Sequence, residues 1–110
     1  MTDISVEELN LKLKGNRSEL QLIDVRETKE IEIAHIEGFT VLPLSQYEEW
    51  SPQIAVNFDP SIETLVLCHH GVRSAQMCLW LRSIGFTNVK NIVGGIDSYS
   101  LIVDSTIKRY

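Results

Sequence analysis

The segment 68–74, Cys-His-His-Gly-Val-Arg-Ser, joins a predicted strand directly to a predicted helix, and this junction constrains the fold more than any other feature. The apolar run 64–67 precedes it and a helix-like stretch, 74–84, follows. Gly71 supplies a position where φ can be positive. At such a junction the amides of the turn and of the helix N-terminus can form a nest that suits a thiolate or an oxyanion. The sequence therefore predicts an anion-binding loop with Cys68 as its nucleophile.

The spacing inside this loop limits its chemistry, because the length of the loop sets the size of the anion it can surround. Four residues separate Cys68 from Arg73. The loop resembles that of the rhodanese family, Cys-x-x-Gly-x-Arg-Ser/Thr, whereas the related phosphatase loops hold one residue more between Cys and Arg. The shorter loop favours sulfur over phosphorus.

A second region carries the same resemblance. Residues 24–27, Asp-Val-Arg-Glu, and residues 34–38, Ala-His-Ile-Glu-Gly, are similar to the family pattern of Asp-x-Arg followed by His-Ile and Gly. The family would have proline at Glu37. Four polar residues of this region are expected to be structural neighbours of the site, the first three as an ion-pair network beside the loop: Asp24, Arg26, Glu30 and His35.

The resemblance implies a sulfurtransferase. The Cys68 thiolate would take the outer sulfur of thiosulfate or another small anionic donor, and a thiol or a protein acceptor would then remove that sulfur from the Cys68 persulfide. The residues expected to bind substrate follow the cysteine: His69, His70, Gly71, Val72, Arg73 and Ser74. No cofactor is expected, and no metal, because three consecutive side chains in a tight turn rarely all reach one tetrahedral ion.

Two other interpretations remain open. A Cys-dependent phosphatase or arsenate reductase would use the same cysteine and arginine, and a non-catalytic module would deliver or sense sulfur through a protein partner.

Ser74 is expected to be the N-cap of the helix at 74–84 rather than a second nucleophile. Cys78, inside that helix, is expected to be a core residue, and both cysteines are expected to be free thiols.

The composition is that of a globular protein. A chain of 110 residues with 44% hydrophobic and 23% charged residues fits one domain, 1–110, with the motifs within about 21–99 and a tail at 100–110. The net charge of -5 argues against nucleic acid as a ligand. No stretch approaches the roughly 20 apolar residues that span a bilayer, and residues 1–4 do not resemble a signal peptide, so a cytoplasmic protein is expected.

Hydrophobic periodicity and turn residues divide the chain into alternating strands and helices. Helices are predicted at 6–14, 28–34, 45–50, 74–84 and from about 96. Strands are predicted at 21–25, 40–43, 64–67 and 88–93. Capping boxes are expected to open the first helix at Ser5 and another at Ser45. The helix at 74–84 is apolar on most sides and is expected to be largely buried.

The segment 53–59 is interpreted as a surface loop pinned to the core by Ile54, Val56 and Phe58, although their alternation leaves a strand open. The tail is expected to fold back on the body through its apolar residues, Ile102, Val103, Ile107 and Tyr110. A tail of this kind resembles the one that follows the rhodanese domain in adenylyltransferases that activate ubiquitin-like sulfur carriers.

The alternation of strands and helices predicts an α/β, rhodanese-like fold with a central, mainly parallel five-stranded sheet and helices on both faces. The loop at 68–74 then lies at the carboxyl end of a central strand. Open α/β sheets bind their ligands at such ends.

Overall fold

The computed structural model describes residues 2–110, and its core is a five-stranded parallel sheet. The strands are β1 (Asp3–Ile4), β2 (Leu20–Asp24), β3 (Thr40–Val41), β4 (Glu63–Leu67) and β5 (Val89–Ile92). Their order across the sheet is β1-β5-β4-β2-β3, and every neighbouring pair is parallel. The predicted fold class is confirmed, and β4 is the central strand.

Helices cover both faces of this sheet. They are α1 (Val6–Lys14), α2 (Thr28–Ile33), α3 (Tyr47–Trp50), α4 (Ile54–Asn57), α5 (Val72–Ser83) and α6 (Gly95–Ile102). Alternate residues of β4 enter different apolar clusters, because successive side chains of a strand point to opposite faces. Leu65 and Leu67 pack in a cluster that includes residues of α1 and α6, whereas Val66 packs with residues of α4 and α5.

The predicted first helix is confirmed in its bounds and its capping. The hydroxyl of Ser5 accepts a hydrogen bond from the N–H of Glu8, and the Glu8 carboxylate accepts one from the N–H of Ser5. Gly15 follows the last residue of α1. This reciprocal pair satisfies two amides that a helix N-terminus leaves without partners.

The sequence missed β1. This strand has only two residues, too few to show an alternation, and it pairs with β5 through Asp3 opposite Asn91 and Ile4 opposite Ile92. Its stability comes from burial of Ile4, which is 2% exposed. Tertiary packing, and not local pattern, therefore makes this segment a strand.

The capping box predicted at Ser45 is wrong. Ser45 lies in a 3-10 turn, Leu44–Gln46, and its N–H and hydroxyl both donate to the carboxylate of Glu27. The helix that ends at Trp50 is present as α3, without a side-chain cap. A carboxylate distant in sequence thus replaces the local amide as the partner of the serine.

The segment 53–59 is neither a loop nor a strand along most of its length, since it contains α4. Ile54 is buried and Phe58 packs against the same cluster, while Val56 is 77% exposed. Residues four apart lie on the same side of a helical turn, so Ile54 and Phe58 face the core together and Val56 faces away. The alternating apolar pattern was therefore misleading.

The expectation that the helix at 74–84 is largely buried is also wrong. The buried residues of α5 form one stripe, Ser74, Met77, Cys78 and Leu81. Val72 and Leu79 are 68% and 66% exposed. The spacing of three and four residues in the stripe is that of a helix with a single buried side.

The tail folds back on the body, as predicted. Val103 and Ile107 pack against the cluster on the α1 and α6 side of the sheet, and the hydroxyl of Ser100 donates to the carbonyl of Ile107 at 2.5 Å. Ile102 differs from the expectation, since it is 59% exposed. Within residues 2–110, none of the helices has the length and apolar character needed to cross a membrane.

Two leucines of α5 test the single buried side of this helix. Leu81 is 0% exposed and Leu79 is 66% exposed. Leu81→Ala is expected to lower the free energy of unfolding by about 2–5 kcal/mol because it leaves a cavity. Leu79→Ala, the matched control, is expected to change it by at most about 0.5 kcal/mol. Urea unfolding followed by circular dichroism measures both, and equal losses would contradict the assignment of the buried side.

Candidate active site

The loop at 68–74 begins directly after β4 and enters α5. Cys68 is 1% exposed, and its Sγ accepts a hydrogen bond from the N–H of Gly71 at 3.0 Å. The Ser74 hydroxyl lies 3.2 Å from the same sulfur. The loop therefore turns back on the cysteine, so that its own backbone and the first turn of α5 surround the thiol.

Gly71, and not Ser74, is the N-cap of α5, so the predicted cap is wrong. Gly71 has φ +97, and α5 begins one residue later at Val72. Ser74 is 0% exposed and its hydroxyl donates to Oδ1 of Asn91 at 2.5 Å. The helix starts earlier than expected because the glycine adopts a left-handed conformation that other residues rarely adopt.

Asn91, which the sequence analysis did not select, links the loop to β5. Its Nδ2 donates to the carbonyl of Gly71 at 3.1 Å while its Oδ1 accepts from Ser74. The same side chain thereby holds the cap and the first turn of α5. No motif marks this residue, which is placed by the register of β5 beside β4.

Several backbone N–H groups of the loop are free to donate hydrogen bonds. Among residues 2–110, the N–H groups of His69, His70, Val72, Arg73 and Ser74 have no hydrogen-bond acceptor. The first N–H groups of a helix have no partner within the helix, and they bear partial positive charge. This arrangement can bind an anion next to the sulfur of Cys68.

The first turn of α6 supports the loop from the other side. The N–H of Ile96 donates to the carbonyl of Cys68 at 2.9 Å, and the N–H of Asp97 donates to that of His69 at 3.1 Å. Gly95 has φ +60, and a Cβ on it would lie 2.4 Å from both of these carbonyl oxygens. The close approach of α6 to the loop thus requires glycine.

Arg73 is bound to Glu30. Its Nη1 and Nη2 lie 2.6 and 2.9 Å from the two carboxylate oxygens. The hydrogen bonds from Arg73 lower the pKa of Glu30 to about 2, and Glu30 in turn raises the pKa of Arg73. The guanidinium is consequently held at the edge of the loop by a fixed negative charge.

The other predicted neighbours, Asp24 and Arg26, extend this pair into a network. Arg26 is 0% exposed and binds both carboxylate oxygens of Asp24, with Nε at 3.0 Å and Nη2 at 2.8 Å. Its Nη1 donates to the hydroxyl of Tyr110 at 3.0 Å, and that hydroxyl donates to Glu30 at 2.7 Å. The tail thus contributes to the site, which the sequence analysis did not predict.

His69, the first of the two loop histidines, stacks against this tyrosine. The ring of His69 lies between those of His70 and Tyr110, with centroid distances of 3.9 Å on each side. Burial, and then the proximity of His70, lowers the pKa of His69. His70 itself is exposed. Both effects favour the uncharged form of His69.

Two selected residues, His35 and Cys78, and the side chain of a third, Val72, lie apart from this arrangement. His35 pairs with Glu37 at 2.7 Å and lines a cleft of about 440 Å³ between α1 and the tail. Val72 presents its side chain to solvent. Cys78 is buried, and desolvation raises the pKa of its thiol to about 12. No group of His, Cys, Asp or Glu in residues 2–110 is arranged to hold a metal ion.

Comparison with known proteins gives a family and several relatives. The family model "Rhodanese-like domain" matches residues 5–101. The chain is 51% identical over 110 residues to a chloroplastic rhodanese-like/PpiC domain-containing protein of Arabidopsis thaliana, covering 98% of this chain and 37% of the relative. It is 33% identical to an adenylyltransferase and sulfurtransferase of Debaryomyces hansenii, covering 97% of this chain and 25% of the relative. The chain thus spans a minor part of both relatives.

A solved structure supports the fold. The rhodanese-like domain protein of Staphylococcus aureus superimposes with a TM-score of 0.79 at 24% identity, over 100% of this chain and 99% of that one. At this identity the likeness concerns the fold alone.

Gly95 and Gly85 provide a matched test of the contact between α6 and the loop. Both have positive φ, but a Cβ at Gly85 would meet nothing within 4 Å. Gly85→Ala is expected to cost roughly 1–2 kcal/mol of stability from the backbone alone. Gly95→Ala is expected to cost about 1–3 kcal/mol more, because its Cβ must push α6 away from the loop carbonyls. Equal losses in urea unfolding would contradict this.

The Glu30–Arg73 pair predicts a pH-dependent stability. The pKa of Glu30 falls from 4.5 to about 2 on folding, so its ionised form stabilises the fold above its unfolded pKa, and this contribution is lost as the pH falls from 4.5 toward 2. Glu30→Gln is expected to be less stable than the wild type at pH 7, with a difference that shrinks over that range. Glu32→Gln, on the exposed side of α2, is the control. A difference independent of pH would contradict the assignment.

Proposed function

Since the chain belongs to the rhodanese-like domain family, we propose that it is a sulfurtransferase that carries sulfane sulfur as a persulfide of Cys68. The single observation that carries this proposal is the position of the Cys68 sulfur, which follows β4 and is enclosed by a loop with free amides. Residues 1–110 would form one such domain. The sulfurtransferase activity stated for the Debaryomyces relative is consistent with this reaction.

In the first half of the reaction, the Cys68 thiolate attacks the outer sulfur of thiosulfate or of a similar anionic donor. A bond forms between the two sulfurs while the sulfur–sulfur bond of the donor breaks, and sulfite leaves with the electron pair. Cys68 is then a persulfide anion. The amides of the loop stabilise this charge because they are already oriented by the turn and by α5.

Arg73 and His70 would orient the donor. Arg73 is about one-third exposed, and its guanidinium has N–H groups beyond the two that bind Glu30. His70 is exposed on the same loop. The net charge of the chain is -5, so the hydrogen-bond donors that remain on Arg73 and on the loop amides form a local exception that favours a small anion.

In the second half, a nucleophilic acceptor attacks the terminal sulfur of the persulfide. The new bond joins that sulfur to the acceptor, and the thiolate of Cys68 leaves with the electron pair. The acceptor can be a small thiol or a protein that exposes one. Cytoplasmic location remains our prediction from the sequence, although the Arabidopsis relative is chloroplastic.

A non-catalytic sulfur-delivery module is the second candidate. The observation that favours it is the 1% exposure of Cys68, which restricts the approach of acceptors. In such a module the persulfide would be stable and would pass only to a specific protein partner. Turnover with small acceptors distinguishes the two functions.

Intact-mass measurement after incubation of the reduced protein with thiosulfate tests the proposal. The wild type is expected to gain one sulfur atom and to lose it on treatment with dithiothreitol. Cys68→Ser is expected to gain none, while Cys78→Ala, the control for the buried thiol, retains the gain.

The same samples separate the alternatives. A persulfide that small thiols do not discharge would favour the delivery module. No gain of sulfur in a folded wild-type protein would contradict transfer from thiosulfate, and hydrolysis of an aryl phosphate would then favour the phosphatase interpretation.

A further inference from the structure

The side chain of Tyr110 lies across the loop at 68–74. Its ring stacks on His69, the residue after Cys68, with 3.9 Å between centroids and 9° between planes. Its hydroxyl contacts Glu30, the partner of Arg73 near the other end of the loop. One side chain therefore connects both ends of the segment that encloses the sulfur.

The hydroxyl of Tyr110 has two hydrogen-bond partners, one donor and one acceptor. It accepts from Nη1 of Arg26 and donates to Oε2 of Glu30, so its single hydrogen has a defined direction. Without this hydroxyl, Nη1 of Arg26 would retain only the carbonyl of Glu30 at 3.4 Å. The hydroxyl thus separates the buried guanidinium from the carboxylate that binds Arg73.

The tail is anchored so that this tyrosine has a fixed place. Ile107 packs in the core, and its carbonyl accepts from Ser100. Arg109 forms an ion pair with Asp97 in the first turn of α6, with 3.0 Å between Nε and Oδ1. The turn that supports the loop therefore also holds the tail.

We propose that Tyr110 is a positioning residue of the sulfur-transfer site, which holds His69 through its ring and keeps Arg73 bound to Glu30 through its hydroxyl. This inference rests on the proposed function of the loop. Through the hydroxyl, Tyr110 limits how far the charge of Arg73 extends toward an anion that approaches Cys68. It thereby sets the selectivity of the site between anionic and neutral sulfur compounds.

Alkylation of Cys68 by iodoacetate and by iodoacetamide tests this role. The two reagents are similar in size and differ in charge, so the ratio of their rates reports the charge that the sulfur's surroundings present. Loss of the hydroxyl in Tyr110→Phe lets Arg26 compete for the Glu30 carboxylate, which releases Arg73 toward the loop. The ratio of the iodoacetate rate to the iodoacetamide rate is expected to rise on the order of threefold.

Three further measurements complete the test. The iodoacetamide rate of Tyr110→Phe is expected to rise less than the iodoacetate rate, because both reagents react with the thiolate that Arg73 stabilises, whereas only iodoacetate is itself attracted by the charge of Arg73. Tyr110→Ala is expected to raise both rates, with a ratio above the wild-type value. Tyr47→Phe, the control, removes a hydroxyl from a half-exposed ring that packs against Trp50 and Trp80, and it is expected to change neither rate.

The result is independent of persulfide formation, since alkylation needs no sulfur donor. Mass analysis of the peptide that contains Cys68 assigns each rate to that residue. A wild-type ratio in Tyr110→Phe, or an equal increase of both rates in this variant, would overturn the proposal.

Discussion

The two hydrogen bonds from the first turn of α6 to the carbonyls of Cys68 and His69 are the contact on which the site depends. They orient the backbone at the start of the loop, so that its later amides lie around the sulfur. Gly95 makes them possible, because any side chain there would overlap the carbonyl oxygens. The parallel sheet places α6 next to the loop, since it brings the ends of β4 and β5, and therefore the starts of α5 and α6, to the same edge.

Charges at this edge are arranged in matched pairs. Asp24 neutralises Arg26, which is fully buried, and Glu30 neutralises Arg73. A buried guanidinium without a carboxylate would be strongly unfavourable, so each arginine depends on its partner. The positive character available to an anion consequently comes mainly from backbone amides, whose partial charges do not require a counter-ion.

The sequence predicted the fold and the loop because both depend on local patterns. Glycine spacing, apolar runs and a capping box are readable over a few residues, and they located α1, β4 and the junction at Cys68. Three of the errors have a different origin: β1 is stabilised by pairing with β5, Ser45 by Glu27, and Ser74 by Asn91. Asn91 and Tyr110 were missed at the site for the same reason, since contacts between residues distant in sequence have no signature in a single chain.

The surroundings of the sulfur accommodate both protonation states of Cys68. The Asn91 amide donates to Gly71, which fixes its oxygen as the acceptor for Ser74. A hydroxyl has one hydrogen, so while Ser74 donates to Asn91, it can only accept from the cysteine, which is then a thiol. When the cysteine is ionised, rotation of the same hydroxyl turns its hydrogen to the sulfur, where the Gly71 N–H already donates. Ionisation of the sulfur would therefore exchange one hydrogen bond of the Ser74 hydroxyl for another.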